Sequence, residues 1–146
     1  MVKLESKVFI NRSPQDVFDY INEPSNSPNY QSGTKSASWT SDGPIGVGST
    51  WKTTANLLGR EMEAEMQITD WQPPSQTTFK AISGPIPVEV TAKVEPQEGG
   101  TLLTFSGKVE LGGFFKLAEG LAAKQLENQM NADNQRLKKL LESGAA

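Results

Sequence analysis

The 146-residue sequence contains neither histidine nor cysteine, and this absence excludes several classes of site. Without an imidazole, the Ser-His-Asp and Cys-His nucleophilic systems cannot be built. Zinc, haem and iron–sulfur sites that use His or Cys ligands are excluded for the same reason. No run has the spacing of an acidic calcium-binding loop, and we therefore predict neither a metal site nor a cofactor. Since no disulfide can form, burial alone must stabilise the fold.

The sequence also lacks an excess of positive charge and any long apolar run. It has 14 Lys and Arg against 17 Asp and Glu, a net charge of −3, so electrostatics give no reason to expect a nucleic-acid partner. No run approaches the roughly 20 apolar residues of a membrane span, and residues 1–7 lack the apolar stretch of a signal peptide. We therefore expect a cytoplasmic protein without stable membrane insertion, folded as a single domain over 1–146. The oligomeric state is not predicted.

Alternating apolar and polar residues predict seven strands. The first, at 2–10, alternates polar residues with Val2, Leu4, Val8 and Ile10, which is typical of a strand with one buried face. The other strands are predicted at about 34–41, 49–58, 61–71, 76–83, 87–95 and 101–111. Gly and Pro turn signals separate them, among them a two-residue hairpin loop at Gly59-Arg60. Short loops between consecutive strands imply an antiparallel meander with one wet and one dry face.

Three segments have helical patterns. Ser13 can cap a short helix whose first residue is Pro14, and only a short second helix is plausible over 22–30. The segment from about 114 to 143 has no proline and carries apolar residues at steps of three or four. It predicts one long helix of about 45 Å.

The long helix must cover the apolar face of the sheet by itself. A helix is about 10–12 Å across, narrower than a twisted sheet of seven strands, so a space is expected between them. Many of the inward residues are also small or flexible: Ala55, Ala64, Ala92, Gly107, Ala118, Ala122, Met62, Met66 and Met130. We expect a cavity there, and the alternative is that the same residues form a packed core.

An ordered series of motifs resembles the START-like, or SRPBCC, helix-grip superfamily. The motifs are Ser-Pro-Gln-Asp-Val-Phe-Asp-Tyr-Ile at 13–21, Gly46-Val47-Gly48-Ser49, Leu58-Gly59-Arg60, Trp71-Gln72-Pro73-Pro74, Gly99-Gly100-Thr101 and Arg136-Leu137-Lys138. The sequence is most similar to the bacterial branch called polyketide cyclase/dehydratase-like. This resemblance implies an α+β helix-grip fold, in which a curved seven-stranded antiparallel sheet wraps around a long C-terminal helix and two short helices follow the first strand. It also implies a ligand tunnel but no particular activity, because carriers, cyclases, hydrolases and chaperone activators share this fold.

Candidate site residues share an inward strand parity or lie along the inward face of a predicted helix. For the ligand-binding cavity they are Tyr20, Trp51, Met62, Met66, Phe79, Phe105, Phe115, Ala122, Leu126, Gln129, Met130 and Asp133. Asp133 lies on the apolar stripe itself, where a polar group is costly unless it has a partner. It is therefore the candidate for a polar anchor or a general base with a raised pKa, unless it reaches solvent or an arginine. Tyr20 and Tyr30 are the other catalytic candidates, and either could simply pack.

The leading hypothesis is a carrier or sensor that binds a hydrophobic small molecule or lipid between sheet and helix, with Tyr20, Gln129 and Asp133 setting its orientation. The alternative is a polyketide cyclase/dehydratase-type enzyme in which Asp133 and Tyr20 or Tyr30 form an acid/base pair. A third interpretation, a protein-interaction module, needs an apolar convex sheet face. The alternating glutamates over 61–65 instead indicate that this face is solvent-exposed.

Overall fold

The computed structural model describes residues 2–57, 59–110 and 119–144. Its elements follow the order β1 (Val2–Ile10), α1 (Pro14–Ile21), a 3₁₀ turn (Pro24–Asn26), α2 (Ser27–Tyr30), β2 (Thr34–Trp39), β3 (Thr50–Leu57), β4 (Arg60–Gln72), β5 (Gln76–Ser83), β6 (Val88–Gln97), β7 (Gly100–Val109) and α3 (Glu119–Ser143). The seven predicted strands and both short helices are present, and strand ends differ from the prediction by at most two residues. The long helix is confirmed from Glu119 onward, whereas its predicted start at 114–118 lies outside the described residues.

The strands form one antiparallel sheet in the order β1-β7-β6-β5-β4-β3-β2. The meander from β2 to β7 is the predicted one, and β1 pairs with β7 along nearly its whole length, from Val2 opposite Val109 to Ile10 opposite Thr101. Bulges interrupt the pairing between 34 and 36 in β2, and at 65/66 and 68/70 in β4. Since bulges bend a strand and increase its twist, they help to curve this side of the sheet toward the helix.

The hairpin between β3 and β4 differs from the prediction by one position. Leu57 pairs with Arg60, so Arg60 belongs to β4, whereas the prediction placed it in the loop with Gly59. Gly59 has a φ of +86°, a conformation that glycine adopts without steric strain. The turn signal was therefore correct, but the pairing register decided which residues form the loop.

Helix α1 begins as its sequence predicts. The Ser13 hydroxyl accepts a hydrogen bond from the backbone N–H of Asp16 at 3.2 Å, and Pro14 occupies the first turn. The helix buries Val17 and Phe18, and the Phe18 ring lies 5.1 Å from that of Trp71. This contact holds α1 against the end of β4.

Helix α3 is held at its C-terminal end by the segment that follows β1. Arg12 Nη1 donates to the carbonyl of Leu141 at 2.5 Å, and the N–H of Asn11 donates to Glu142 Oε2 at 2.8 Å. Lys138 Nζ donates both to Glu142 and to the carbonyl of Phe9. Hydrogen bonds from Lys138 and Asn11 lower the pKa of the Glu142 carboxyl. Positive side chains at a helix C-terminus also interact favourably with its dipole.

Buried apolar residues of the described chain form two clusters. The larger consists of Val8, Ile10, Val17, Phe18, Tyr30, Ala92, Val94, Leu103, Leu137 and Leu141. The smaller consists of Leu4, Ile86, Val109, Ala122 and Leu126. Helix α3 contributes its last turns to the first cluster and its early turns to the second. The stretch between Leu126 and Leu137 therefore crosses a part of the sheet that neither cluster fills.

Candidate functional site

A cavity of about 370 Å³ lies between the concave face of the sheet and the middle of α3. This volume is within the range of about 300–1,000 Å³ that ligand pockets occupy. Its wall comes from all seven strands, from the region of α1 and α2, and from α3. Most wall residues are aliphatic or aromatic, and the polar ones are concentrated around α2 and α3. The expected space between sheet and helix is thus present.

Most predicted cavity residues belong to this wall. They are Trp51, Met62, Met66, Phe79, Phe105, Leu126, Gln129, Met130 and Asp133, and the catalytic candidate Tyr30 joins them. The wall formed by the described residues does not include Tyr20 or Ala122. Phe115, predicted to face the cavity, and Ala118, predicted to face inward, lie outside the described residues.

Tyr20 and Ala122 each pack against other side chains instead of lining the cavity. Tyr20 packs against the larger cluster, its ring lies 6.0 Å from that of Tyr30, and its hydroxyl accepts a hydrogen bond from Asn29 Nδ2 at 3.2 Å. Ala122 is 4% exposed and belongs to the smaller cluster. Helical periodicity identifies the inward face, whereas position along the molecule determines whether that face meets core or cavity.

Small residues on the sheet account for much of the open space. Ala55, Ala64, Ala92 and Gly107 all line the cavity, as their strand parity predicted. A Cβ added at Gly107 would meet its nearest neighbours, Glu89 O and Val90 Cγ2, at 3.8 and 3.9 Å, which is ordinary van der Waals contact. The backbone at this position therefore leaves room that a larger side chain would occupy.

Aromatic rings form another part of the wall. Trp51 and Phe79 meet edge to face, with ring centroids 5.1 Å apart, and Trp39 meets Trp51 in the same manner at 5.7 Å. Trp39 Nε1 donates to Glu23 Oε1 at 3.1 Å. Burial of the Glu23 carboxyl opposes its ionisation, but hydrogen bonds from Ser25 and Trp39 outweigh burial and leave its pKa lowered. These contacts give Trp51 a defined orientation against the cavity.

Asp133 is the charged residue of the described wall, and it has partners. The residue is 9% exposed. Its Oδ1 accepts hydrogen bonds from the backbone N–H and the hydroxyl of Ser32, both at 3.2 Å, and from Arg136 Nη2 at 2.6 Å. Arg136 Nε also donates to the carbonyl of Tyr30 at 3.1 Å. Asp133 thus reaches an arginine, as one of the two interpretations of the sequence required, and the group ties α3 to the end of α2.

A second polar group was missed by the sequence analysis. Ser6 lies on the buried face of β1, 3% exposed. Its hydroxyl donates to Asn131 Oδ1 at 2.5 Å and accepts from Asn134 Nδ2 at 2.7 Å. Asn134 is also 3% exposed and lines the cavity. The available signal was the inward parity of Ser6 between Leu4 and Val8, since a buried polar side chain needs a partner.

Tyr30 is 3% exposed and lines the cavity beside these polar groups. Burial raises the pKa of its phenol well above the usual value, and a hydrogen bond with the Ser27 side chain opposes the shift only in part. The negative charge of Asp133 raises the pKa further. The phenol therefore remains protonated at neutral pH, and it can orient a bound molecule by hydrogen bonding.

The described part of the chain also lacks two further features. Residues 2–57, 59–110 and 119–144 contain no group of three or more His, Cys, Asp or Glu side chains that could hold a metal ion. Over the same ranges, no helix is both long and apolar enough to cross a bilayer.

Solved structures share this architecture at low sequence identity. The protein TTHA0849 from Thermus thermophilus has a TM-score of 0.84 at 15% identity, with 99% of this chain and 100% of that chain covered. A START superfamily protein from Mycobacterium smegmatis has a TM-score of 0.72 at 16% identity, with 97% and 94% covered. The major latex-like protein 151 from Panax ginseng has a TM-score of 0.64 at 17% identity, with 88% and 95% covered. These similarities show the fold, which is the helix-grip fold that the motifs predicted.

A comparison with functionally curated proteins found no match. The family described as polyketide cyclase / dehydrase and lipid transport matches residues 1–142. This match spans the sheet and nearly all of α3, and it agrees with the motifs and with the fold. The chain therefore belongs to the polyketide cyclase / dehydrase and lipid transport family.

Proposed function

We propose that the protein binds one hydrophobic small molecule or lipid in the cavity between the sheet and α3, as a carrier or sensor. The observation that carries this proposal is the cavity of about 370 Å³ with a mainly aliphatic and aromatic wall. Burial of apolar ligand surface at about 25 cal/mol per Å² would supply the affinity. The few polar groups around α2 and α3 would orient the ligand, as in most small-molecule sites.

An acid/base enzyme is the second candidate, because Asp133 and Tyr30 both line the cavity. General acid–base catalysis is most efficient when the pKa of the catalytic group lies near the working pH. Burial moves the pKa of Tyr30 away from neutrality, and Asp133 is held by Ser32 and Arg136. These contacts favour a binding role for both side chains over proton transfer.

A protein-interaction module has less support, because the convex face of the sheet carries ion pairs. Lys35 Nζ lies 2.6 Å from Glu61 Oε1, and Lys52 Nζ lies 2.9 Å from Glu63 Oε1. All four side chains are more than half exposed. This face is solvent-exposed and charged, unlike the apolar patches that mark stable interfaces.

The proposal is tested with N-phenyl-1-naphthylamine, an uncharged probe whose fluorescence increases in an apolar site. We expect saturable binding to the wild-type protein and a loss of about tenfold or more in affinity, ~1.4 kcal/mol, for Gly107→Leu. In this variant, the new side chain would occupy the cavity. The binding is measured by fluorescence titration.

The matched control is Ser106→Leu, which places the same side chain on the opposite face of β7. Its affinity should stay within about twofold of wild type, because surface changes away from the cavity have small effects. Folding of both variants is checked by circular dichroism. A well-folded Gly107→Leu variant that binds as tightly as wild type contradicts the proposal, as does a wild-type protein that binds no probe.

A further inference from the structure

Three polar residues of α3 lie where the helix crosses the cavity, namely Gln129, Asp133 and Asn134. Gln129 and Asp133 are four residues apart, as are Met130 and Asn134, so these pairs form two adjacent rows on one helix face. All four residues line the cavity. A bound apolar molecule would therefore meet a polar edge along the middle of α3 and apolar side chains over most of the remaining wall.

Asp133 has unused hydrogen-bonding capacity at this edge. Its Oδ1 takes the donors of Ser32 and Arg136, whereas its Oδ2 accepts no hydrogen bond from any residue in the described ranges. Among the fully enclosed side-chain oxygen and nitrogen atoms of the same ranges, Thr77 Oγ1 is the one without a hydrogen-bond partner. Asp133 Oδ2 also has no partner, so it is not fully enclosed and keeps some accessible surface. Because Asp133 is 9% exposed and belongs to the wall, we place this oxygen at the cavity.

Two neighbours complete the polar edge. Asn134 uses Nδ2 to donate to Ser6, and its Oδ1 has no donor among the residues that the structure describes. The amide of Gln129 makes no hydrogen bond within that part of the chain either. The edge thus offers unpaired acceptors on Asp133 and Asn134 and an amide N–H on Gln129. A hydroxyl can donate to such an acceptor and accept from such an N–H, whereas an ionised carboxylate can only accept.

Charge restricts the ligand further. Asp133 is the one Asp, Glu, Lys or Arg side chain in the described wall, and it already forms an ion pair with Arg136. A ligand carboxylate would lie beside a second carboxylate, and a ligand ammonium would add an unbalanced charge to a mainly apolar cavity. Both are costly in a poorly solvated site. An uncharged head group avoids both costs.

We infer that the cavity selects a hydrophobic ligand with an uncharged hydroxyl, which donates a hydrogen bond to Asp133 Oδ2, and that it discriminates against the corresponding carboxylate. This inference rests on the proposed function and names its ligand class. The ligand is an alcohol or phenol with a compact apolar body, rather than a fatty acid or an amine.

The test uses four naphthalenes that share one body and differ in head group. They are 2-naphthol, 2-methoxynaphthalene, 2-naphthoate and 2-naphthylmethylammonium, and each displaces bound N-phenyl-1-naphthylamine from the wild-type protein at neutral pH. We expect 2-naphthol to compete at a concentration about tenfold lower than 2-methoxynaphthalene, which has no donor. The two charged compounds should compete more weakly than 2-naphthol.

The variant Asp133→Asn tests whether this residue determines the head-group preference. It keeps the side-chain shape, removes the charge and replaces an acceptor with an N–H donor. We expect the ratio of 2-naphthoate to 2-naphthol affinity to rise about tenfold or more. The control is Glu127→Gln, which removes one negative charge from the same helix outside the described wall, and this variant should leave the ratio unchanged.

The results separate the two proposals. A wild-type protein that does not bind the probe overturns the proposed function and this inference with it. Probe binding combined with 2-naphthoate or 2-methoxynaphthalene competing as well as 2-naphthol overturns the inference alone. A folded Asp133→Asn variant with an unchanged ratio also overturns it. Because the wild-type series decides the head-group preference, the test remains valid if Asp133→Asn fails to fold.

Discussion

At the scale of single residues, two buried threonines are equivalent by strand parity, but their hydrogen bonding differs. Thr77 and Thr101 are both fully buried on strands. The Thr101 hydroxyl donates to the carbonyl of Arg12 at 2.8 Å, whereas the Thr77 hydroxyl is enclosed without a partner in the described ranges. The sequence predicts that these residues lie on strands, but it does not show which hydroxyl finds an acceptor. That difference should appear in their contributions to stability.

Replacement of each threonine by valine should change the stability in opposite directions. Thr77→Val removes an unpaired buried hydroxyl and should raise the free energy of unfolding by about 1 kcal/mol. Thr101→Val breaks a hydrogen bond and leaves the Arg12 carbonyl without it, so the free energy of unfolding should fall by about 1–2 kcal/mol. Urea unfolding followed by circular dichroism measures both. Equal changes of the same sign would show that the two hydroxyls do not differ in pairing.

At the scale of elements, local signals predicted where structure begins, and long-range contacts decided how elements meet. The Ser13 cap and Pro14 are local signals, and α1 begins where they indicate. The loop between β3 and β4 depends on strand register, and there the prediction was off by one residue. Elements also approach one another closely at Gly33, where an added Cβ would lie 2.7 Å from Gln129 Nε2 and 2.8 Å from the carbonyl oxygen of Asn56.

Gly33→Ala should therefore destabilise the junction of β2, β3 and α3. The contact with Asn56 involves backbone, which cannot move aside as a flexible side chain can, and we expect a loss of about 1–3 kcal/mol in the free energy of unfolding. Gly46→Ala is the control, because nothing lies within 4 Å of its added Cβ, and its effect should stay within about 0.5 kcal/mol. Thermal and urea unfolding compare the two variants. Similar stabilities would contradict the close approach at Gly33.

At the scale of the whole molecule, α3 spans two core clusters and the cavity lies between them. Leu137 and Leu141 pack into one cluster, and Ala122 and Leu126 pack into the other. A cavity reduces stability, because the side chains that line it lose packing contacts. An empty ligand cavity therefore lowers the free energy of unfolding of the ligand-free protein. A substitution that fills the cavity should restore part of that free energy.

Gly107→Leu should accordingly make the free protein more stable while it weakens binding. Glycine inside a strand costs about 0.5–1 kcal/mol relative to alanine, and the added side chain also buries apolar surface, so we expect a gain of about 1 kcal/mol in the free energy of unfolding. Saturating N-phenyl-1-naphthylamine should raise the melting temperature of the wild-type protein and raise that of the variant less. Ser106→Leu should respond to the probe as wild type does. A less stable Gly107→Leu variant would mean that position 107 does not open into usable space.

By itself, the sequence determined the strands, the helices, their inward faces and the fold, because periodicity, caps and turn residues act within a few positions of one another. It also placed Trp51, Phe79 and Met130 on the face that lines the cavity. Only the tertiary structure decided that Tyr30 lines the cavity while Tyr20 packs outside its wall. It likewise paired Asp133 with Ser32, 101 positions away, and Ser6 with Asn131, 125 positions away. The physical reason is that periodicity defines a direction, whereas core, cavity and hydrogen-bond partner depend on the distance between a curved sheet and the helix that spans it.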